Sequence, residues 1–455
     1  METLKSIFRV ASSNIFNLGS SFILGFILPI FISTYDYGKY REYMLYVTFI
    51  YIFNLGFNDG IYIEYGGKSK SDIKLERLKS EVNFVRIFQL LVFIIILAIS
   101  LFNKDIMLFY IAFASYFMNI IQFHKNFLQA TGEFTFYSKL NMYNTVFNVV
   151  LMLTAIFVFN SKDYPAFIFA NVLALFLSYL FYEYTYYQNY GKLTNSKIKL
   201  TRDDYSLLFK IGITILLSNM MVTFVANIGS WVVNVTYPTE QFAQYSFSTS
   251  LLNIILLVVN AVSLVFYNLI AKEENQNLLK KLKIILLLLG IFGGLGYFFF
   301  SIIIKSFIVK YIPALSILSI TFISIPYIMV SNVIFNNIYK TRNNKKIYLK
   351  DMLKFLSISV VLIGIIILLT DKMVYIAIAT TAAYIIWYLV VTHFKFIYLK
   401  NGKREYFLMI SHIILFWVST SVRSDFVGLL IYSIYLIFVL LMYRKDLVTM
   451  VKSFQ

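Results

Sequence analysis

Apolar runs of about twenty residues, separated by short polar turns, recur from end to end of this 455-residue chain. A helix needs ~20 predominantly apolar residues to cross the hydrocarbon core of a bilayer. Fourteen stretches reach or approach that length. The first six run over 9–33, 41–63, 83–102, 106–128, 138–159 and 163–187. Four more cover 209–236, 241–270, 282–304 and 311–338, and the last four cover 351–370, 372–394, 405–421 and 425–443. The pattern predicts an all-α polytopic membrane protein of about 14 transmembrane helices.

Composition agrees with that solvent. Hydrophobic residues make up 60% of the chain and charged residues 14%, more apolar surface than a water-soluble domain can hide. The formal charge of +18 invites a nucleic-acid reading, but the basic residues flank the apolar runs and no nucleic-acid partner is expected. Sorting the turns alternately onto two sides puts 32 Lys and Arg on one side and 8 on the other. The richer side is then cytoplasmic, and so are both termini. Lys5 and Arg9 precede an apolar run too long for a cleaved leader.

Several chemistries drop out. The chain has no cysteine and only three scattered histidines, so no thiolate or imidazole metal centre is expected. Gly293-Gly294-Leu295-Gly296 lies inside an apolar run with no following Lys, so it is not a phosphate loop. No cofactor is expected. The turns between spans are too short for a catalytic module, which argues against an enzyme.

The spans repeat. Thr34-Tyr35-Asp36-Tyr37-Gly38-Lys39-Tyr40-Arg41-Glu42-Tyr43 lies over Thr236-Tyr237-Pro238-Thr239-Glu240-Gln241-Phe242-Ala243-Gln244-Tyr245, each copy between two long apolar runs. Phe8-Arg9-Val10 opens helix 1 as Phe209-Lys210-Ile211 opens helix 7. Six spans per copy is an even number, so both copies insert the same way, as parallel repeats about an axis along the membrane normal. The expected organisation is an N-terminal lobe over 1–190 (helices 1–6), a C-terminal lobe over 191–400 (helices 7–12), and two additional helices with a cytoplasmic tail over 401–455.

A turn carrying Tyr37-Gly38-Lys39-Tyr40, then a helix running into Asn54-Leu55-Gly56-Phe57-Asn58-Asp59-Gly60, resembles the polysaccharide-transporter branch of the flippase superfamily that also contains multidrug and toxin extrusion pumps. Gln129-Ala130-Thr131-Gly132 resembles that family's turn after helix 4. The resemblance implies two six-helix lobes around a cavity. It also implies Wzx-type flipping of undecaprenyl-diphosphate-linked oligosaccharide, such as an O-antigen repeat unit, across the bacterial inner membrane. The polymerase and chain-length regulator of the same pathway are candidate partners. One departure stands out: where relatives carry an acid midway along helix 7, this chain has Asn227-Ile228-Gly229-Ser230-Trp231.

Moving sugars and a diphosphate past lipid requires amide and hydroxyl partners and cations along the path. Asn14 and Asn17 share a face of helix 1, and Asn219, Asn227, Asn253 and Asn260 punctuate helices 7 and 8. Together they are candidate cavity-lining residues; taken singly, each also fits an asparagine that ties two helices by a hydrogen bond. Arg9 and Lys210, at equivalent mouths of the two repeats, are candidate diphosphate contacts or simple helix anchors. Asp59 and Glu64 are candidate ion-coupling residues or a cluster wetted at the interface. Two other functions stay open: a drug or metabolite exporter of the same superfamily, and a membrane glycan polymerase.

Overall fold

Small polar side chains set where helices begin. Ser33 Oγ accepts from the Asp36 backbone N–H at 3.0 Å and opens a helix over Thr34–Val47. Asp105 takes the backbone N–H groups of Met107 and Leu108 at 2.8 and 3.2 Å, opening Ile106–Ala130. Both caps satisfy donors that have no partner within the helix.

The structure, a computed structural model, describes residues 16, 19–68, 72–191, 201–272, 276–341 and 345–454. Two compact units divide the chain, Met1–Phe224 and Val225–Gln455. The first contains α1 (Gly19–Phe31), α2 (Thr34–Val47), α3 (Phe57–Glu64), α4 (Leu75–Asn103), α5 (Ile106–Ala130), α6 (Phe134–Phe157) and α7 (Tyr164–Tyr186). It also takes in the first part of α8 (Arg202–Thr236). Helix α5 packs against α3, α4 and α7 and forms the middle of this unit. The second unit contains α9 (Thr239–Lys272), α10 (Gln276–Gly293), α11 (Leu295–Phe307), α12 (Ala314–Phe322), α13 (Ile325–Val330) and α14 (Asn336–Thr341). It ends with α15 (Lys345–Leu369), α16 (Val374–Val390), α17 (Lys403–Ser421) and α18 (Asp425–Phe454).

Helix α4 shows what solvent the fold is built for. Its polar Glu81 and Gln89 are fully buried, whereas Ile87, Leu91 and Ile95 are 62%, 55% and 59% exposed. Glu81 accepts from Tyr65 Oη at 2.7 Å and Arg77 Nε at 3.0 Å, and Gln89 Nε2 donates to the Phe53 carbonyl at 3.2 Å. Polar groups inside and branched apolar groups outside is an arrangement that lipid favours and water does not. Among the described residues, nine helices are long and apolar enough to cross a membrane. The count is ten if Ala314–Phe322 and Ile325–Tyr339, bent by 50°, form one span. The chain is a multi-pass membrane protein.

Three expected spans are interrupted, and the bend between Phe322 and Ile325 already places the one over 311–338 among them. The one over 41–63 stops at Val47, tightens into a 3₁₀ turn over Ile50–Asn54 and restarts at Phe57. Leu55 (φ 51°) and Gly56 (φ 88°) both sit in the left-handed region that makes the break. The one over 282–304 breaks at Gly294, between α10 and α11. Tyr432 Oη, from α18, donates to the Ile291 carbonyl at 2.6 Å just before that break.

Candidate functional site

The interruption between α2 and α3 brings α8 into backbone contact with α3. A Cβ placed on Gly212 would lie 1.8 Å from the Gly56 carbonyl oxygen and 2.5 Å from Gly60 N. One on Gly60 would lie 2.2 Å from the Leu208 oxygen, and one on Gly56 would lie 2.4 Å from Ile213 N. Three glycines thus let two backbones touch, which is how small residues are used between membrane helices.

Beside that contact is a cavity of about 110 Å³. Its polar wall comes from Thr48, Asn54, Asp59, Gln122, Asn219 and Thr223. Phe49 and Tyr51 supply rings, and Leu216 and Met220 an apolar patch. Asp59 stands in the first turn of α3 and is half-buried. Asn54 Oδ1 accepts from Gly56 N at 2.7 Å, which holds the left-handed turn and leaves the amide N–H groups of Asn54 as its remaining donors. Gln122 Nε2 donates to Asn126 Oδ1 at 2.7 Å, leaving the Gln122 oxygen as an acceptor.

Behind Gln122 a chain of amides locks α3 to α5. Asn126 Nδ2 donates to the Asn58 carbonyl at 2.8 Å, Asn58 Nδ2 to the Asn119 carbonyl at 2.8 Å, and Asn119 Nδ2 to the Ser115 carbonyl at 3.0 Å. The second unit repeats the motif. Ser263 Oγ donates to the Asn332 carbonyl at 3.1 Å, while the Ser263 carbonyl accepts from Asn337 Nδ2 at 3.0 Å. In both units one residue gives its side chain to the neighbouring helix and takes an asparagine amide in return.

The residues singled out in the sequence scatter. Asp59 and Asn219 meet in the cavity. Glu64 does not join them: Lys68 Nζ lies 2.8 Å and Arg77 Nη1 3.5 Å from its carboxylate. Lys210 is exposed on α8, two residues before Gly212. Asn227 is half-buried on α8, Asn253 is exposed on α9, and Asn260 also belongs to α9. Arg9, Asn14 and Asn17 lie outside the described residues. Elsewhere in this unit Glu183 is ion-paired: it accepts from Arg86 and lies 3.2 Å from His124 Nε2. Sequence reasoning missed Asn54, Gln122, Thr48 and Thr223. The only hint was the Asn54-to-Gly60 cluster, whose Asn-x-Gly opening is the break itself.

The sequence pattern of a family described as "Polysaccharide biosynthesis protein" matches residues 3–272. No curated protein sequence matches the chain. In fold the chain is similar to the lipid II flippase MurJ in an inward closed conformation, at 16% identity and a TM-score of 0.69, over 97% of this chain and 99% of that one. It is also similar to a multidrug resistance MATE family transporter of the MOP superfamily in an inward-facing conformation. There the identity is 13% and the TM-score 0.58, over 83% of this chain and 92% of that one. Identities this low concern the fold alone.

Proposed function

Because this chain belongs to the polysaccharide biosynthesis protein family, we propose that it flips an undecaprenyl-diphosphate-linked oligosaccharide, an O-antigen or similar surface repeat unit. The movement is from the cytoplasmic to the outer leaflet of the bacterial inner membrane, by alternating access. The observation that carries this reading is the cavity between the 48–54 segment, α3, α5 and α8, where amides, hydroxyls and one carboxylate open beside membrane-spanning helices. An intramembrane polar cavity has a use when the cargo is polar. A cargo that keeps its lipid tail in the hydrocarbon needs such a path only for its sugars and diphosphate. The similarity in fold to a protein named as a lipid II flippase supports lipid-linked cargo. Arg9 and Lys210 serve in this scheme as the cations that receive the diphosphate at the cytoplasmic mouth.

Deletion of the gene is expected to abolish surface glycan while lipid-linked repeat units accumulate on the cytoplasmic leaflet. The Arg9→Gln, Lys210→Gln chain, at normal level, is expected to reproduce much of that defect. Repeat units that reach the outer face and merely fail to polymerise would point to a polymerase or its partner. Intact glycan with altered drug sensitivity would point to an exporter.

Orientation follows from the charge bias, with both termini cytoplasmic. The chain has no cysteine, so single cysteines report cleanly. Positions 104 and 372 are expected to react with an impermeant thiol reagent added outside, and positions 346 and 400 only after permeabilisation. The opposite pattern would invert the topology.

A further inference from the structure

We infer that the cavity at Asp59 is a saccharide subsite that takes an uncharged or amine-bearing sugar ring and rejects a carboxylated one; this rests on the flippase reading above. Size is the first argument. A water needs ~10–15 Å³ of such space, so about 110 Å³ has room for a ring-sized solute rather than one solvent molecule.

The second argument is the donor set. Asn54 offers amide N–H donors, Gln122 an acceptor, and Asn219 both, while Phe49 and Tyr51 present rings at the wall. Sugars carry hydroxyls that donate and accept, and apolar C–H faces that stack on rings. A bare metal cation has no use for N–H donors or rings; it is held by converging oxygens.

The third argument is Asp59 itself. Among the described residues, each carboxylate that the fold buries has a cation beside it: Glu81 has Arg77, Asp351 has Lys354 and Lys395, and Glu405 has Lys283. Among the described residues Asp59 has no ion pair, and it faces the cavity. A carboxylate placed there accepts hydrogen bonds from sugar hydroxyls or an ammonium and repels a uronic acid at close range.

The test uses the full chain in lipid nanodiscs with a single cysteine at Met220, an apolar position of the cavity wall. A second version has the cysteine at Thr48, in case the first does not fold. The rate of maleimide labelling is measured with N-acetylglucosamine, glucosamine, glucuronate or sodium chloride, at equal ionic strength. The two uncharged or amine-bearing sugars are expected to slow labelling several-fold, and glucuronate to leave it unchanged. In an Asp59→Asn background glucuronate is expected to protect as well as N-acetylglucosamine. Protection by sodium chloride alone would make this a cation site and overturn the proposal. So would protection by glucuronate with Asp59 intact, or protection by no sugar in either version. Because glycan export is measured separately in cells, the subsite fails alone if export persists without protection.

Discussion

A Gly212→Ala chain is expected to lose most of its folded yield in detergent and its export activity. The new methyl would stand 1.8 Å from the Gly56 carbonyl oxygen and 2.5 Å from Gly60 N. Neither atom belongs to a side chain that turns aside. Gly56 O already accepts from Gly60 N at 2.8 Å inside α3, so moving it breaks the first turn of that helix. Overpacking a well-filled core costs about 1–3 kcal/mol, and here the obstacle is backbone, so the upper end applies. Fluorescence-detected size exclusion and a thermal melt in detergent measure the effect. Gly364→Ala is the control, since a Cβ there meets nothing within 4 Å. It lies inside α15, where replacing glycine by alanine gains about 1 kcal/mol of helix propensity. The two substitutions should move stability in opposite directions, and equal melts would refute the close backbone contact.

Lys283→Met is expected to be at least as damaging, for an electrostatic reason. Lys283 is 1% exposed. Its ammonium lies 2.8 Å from Glu405 Oε1 and donates to the Leu399 carbonyl at 2.7 Å and to Asn401 Oδ1 at 3.0 Å. Tyr388 Oη donates to that same Asn401 oxygen at 2.7 Å. Removing the lysine leaves a buried carboxylate without its cation and takes one donor each from the Leu399 carbonyl and Asn401 Oδ1, a loss of about 3–5 kcal/mol for a broken buried pair. Glu405 also accepts from Gly402 N at 2.6 Å at the head of α17, so its displacement loosens that helix too. A double Lys283→Met, Glu405→Gln chain should melt well above the temperature that adding the two single losses implies, because the stranded charge is gone. Strict additivity would show that the pair is not coupled.

The fold class was legible because a membrane helix states itself in a single variable, apolar length. The family resemblance read from Tyr37-Gly38-Lys39-Tyr40 and the Asn54-to-Gly60 cluster is borne out by the family match over 3–272. The break in the second helix was not legible. A twenty-residue apolar window averages over Leu55 and Gly56, and a positive φ leaves no trace in hydropathy. Asp59 and Glu64 look alike in sequence, two acids near the end of one apolar run. On an α-helix, however, residues five apart point about 140° away from each other. One therefore lines the cavity while the other meets Lys68 and Arg77. Asparagines were also ambiguous by type: Asn58, Asn119 and Asn126 bind helices together, while Asn219 lines a cavity. Only tertiary packing separates the two uses.

The left-handed pair Leu55–Gly56 has a consequence for how the cavity is timed along the chain. A continuous helix would carry its angular phase from α2 into α3, so that any irregularity upstream would rotate Asp59. The break erases that memory and starts a new count at Gly56, pinned to α8 by the glycine contact and to its own turn by Asn54. The direction in which the carboxylate projects is then fixed by three residues of counting. A carboxylate one position earlier or later would point about 100° away. Asp59 is held by arithmetic that begins next door, independent of everything between Thr34 and Val47.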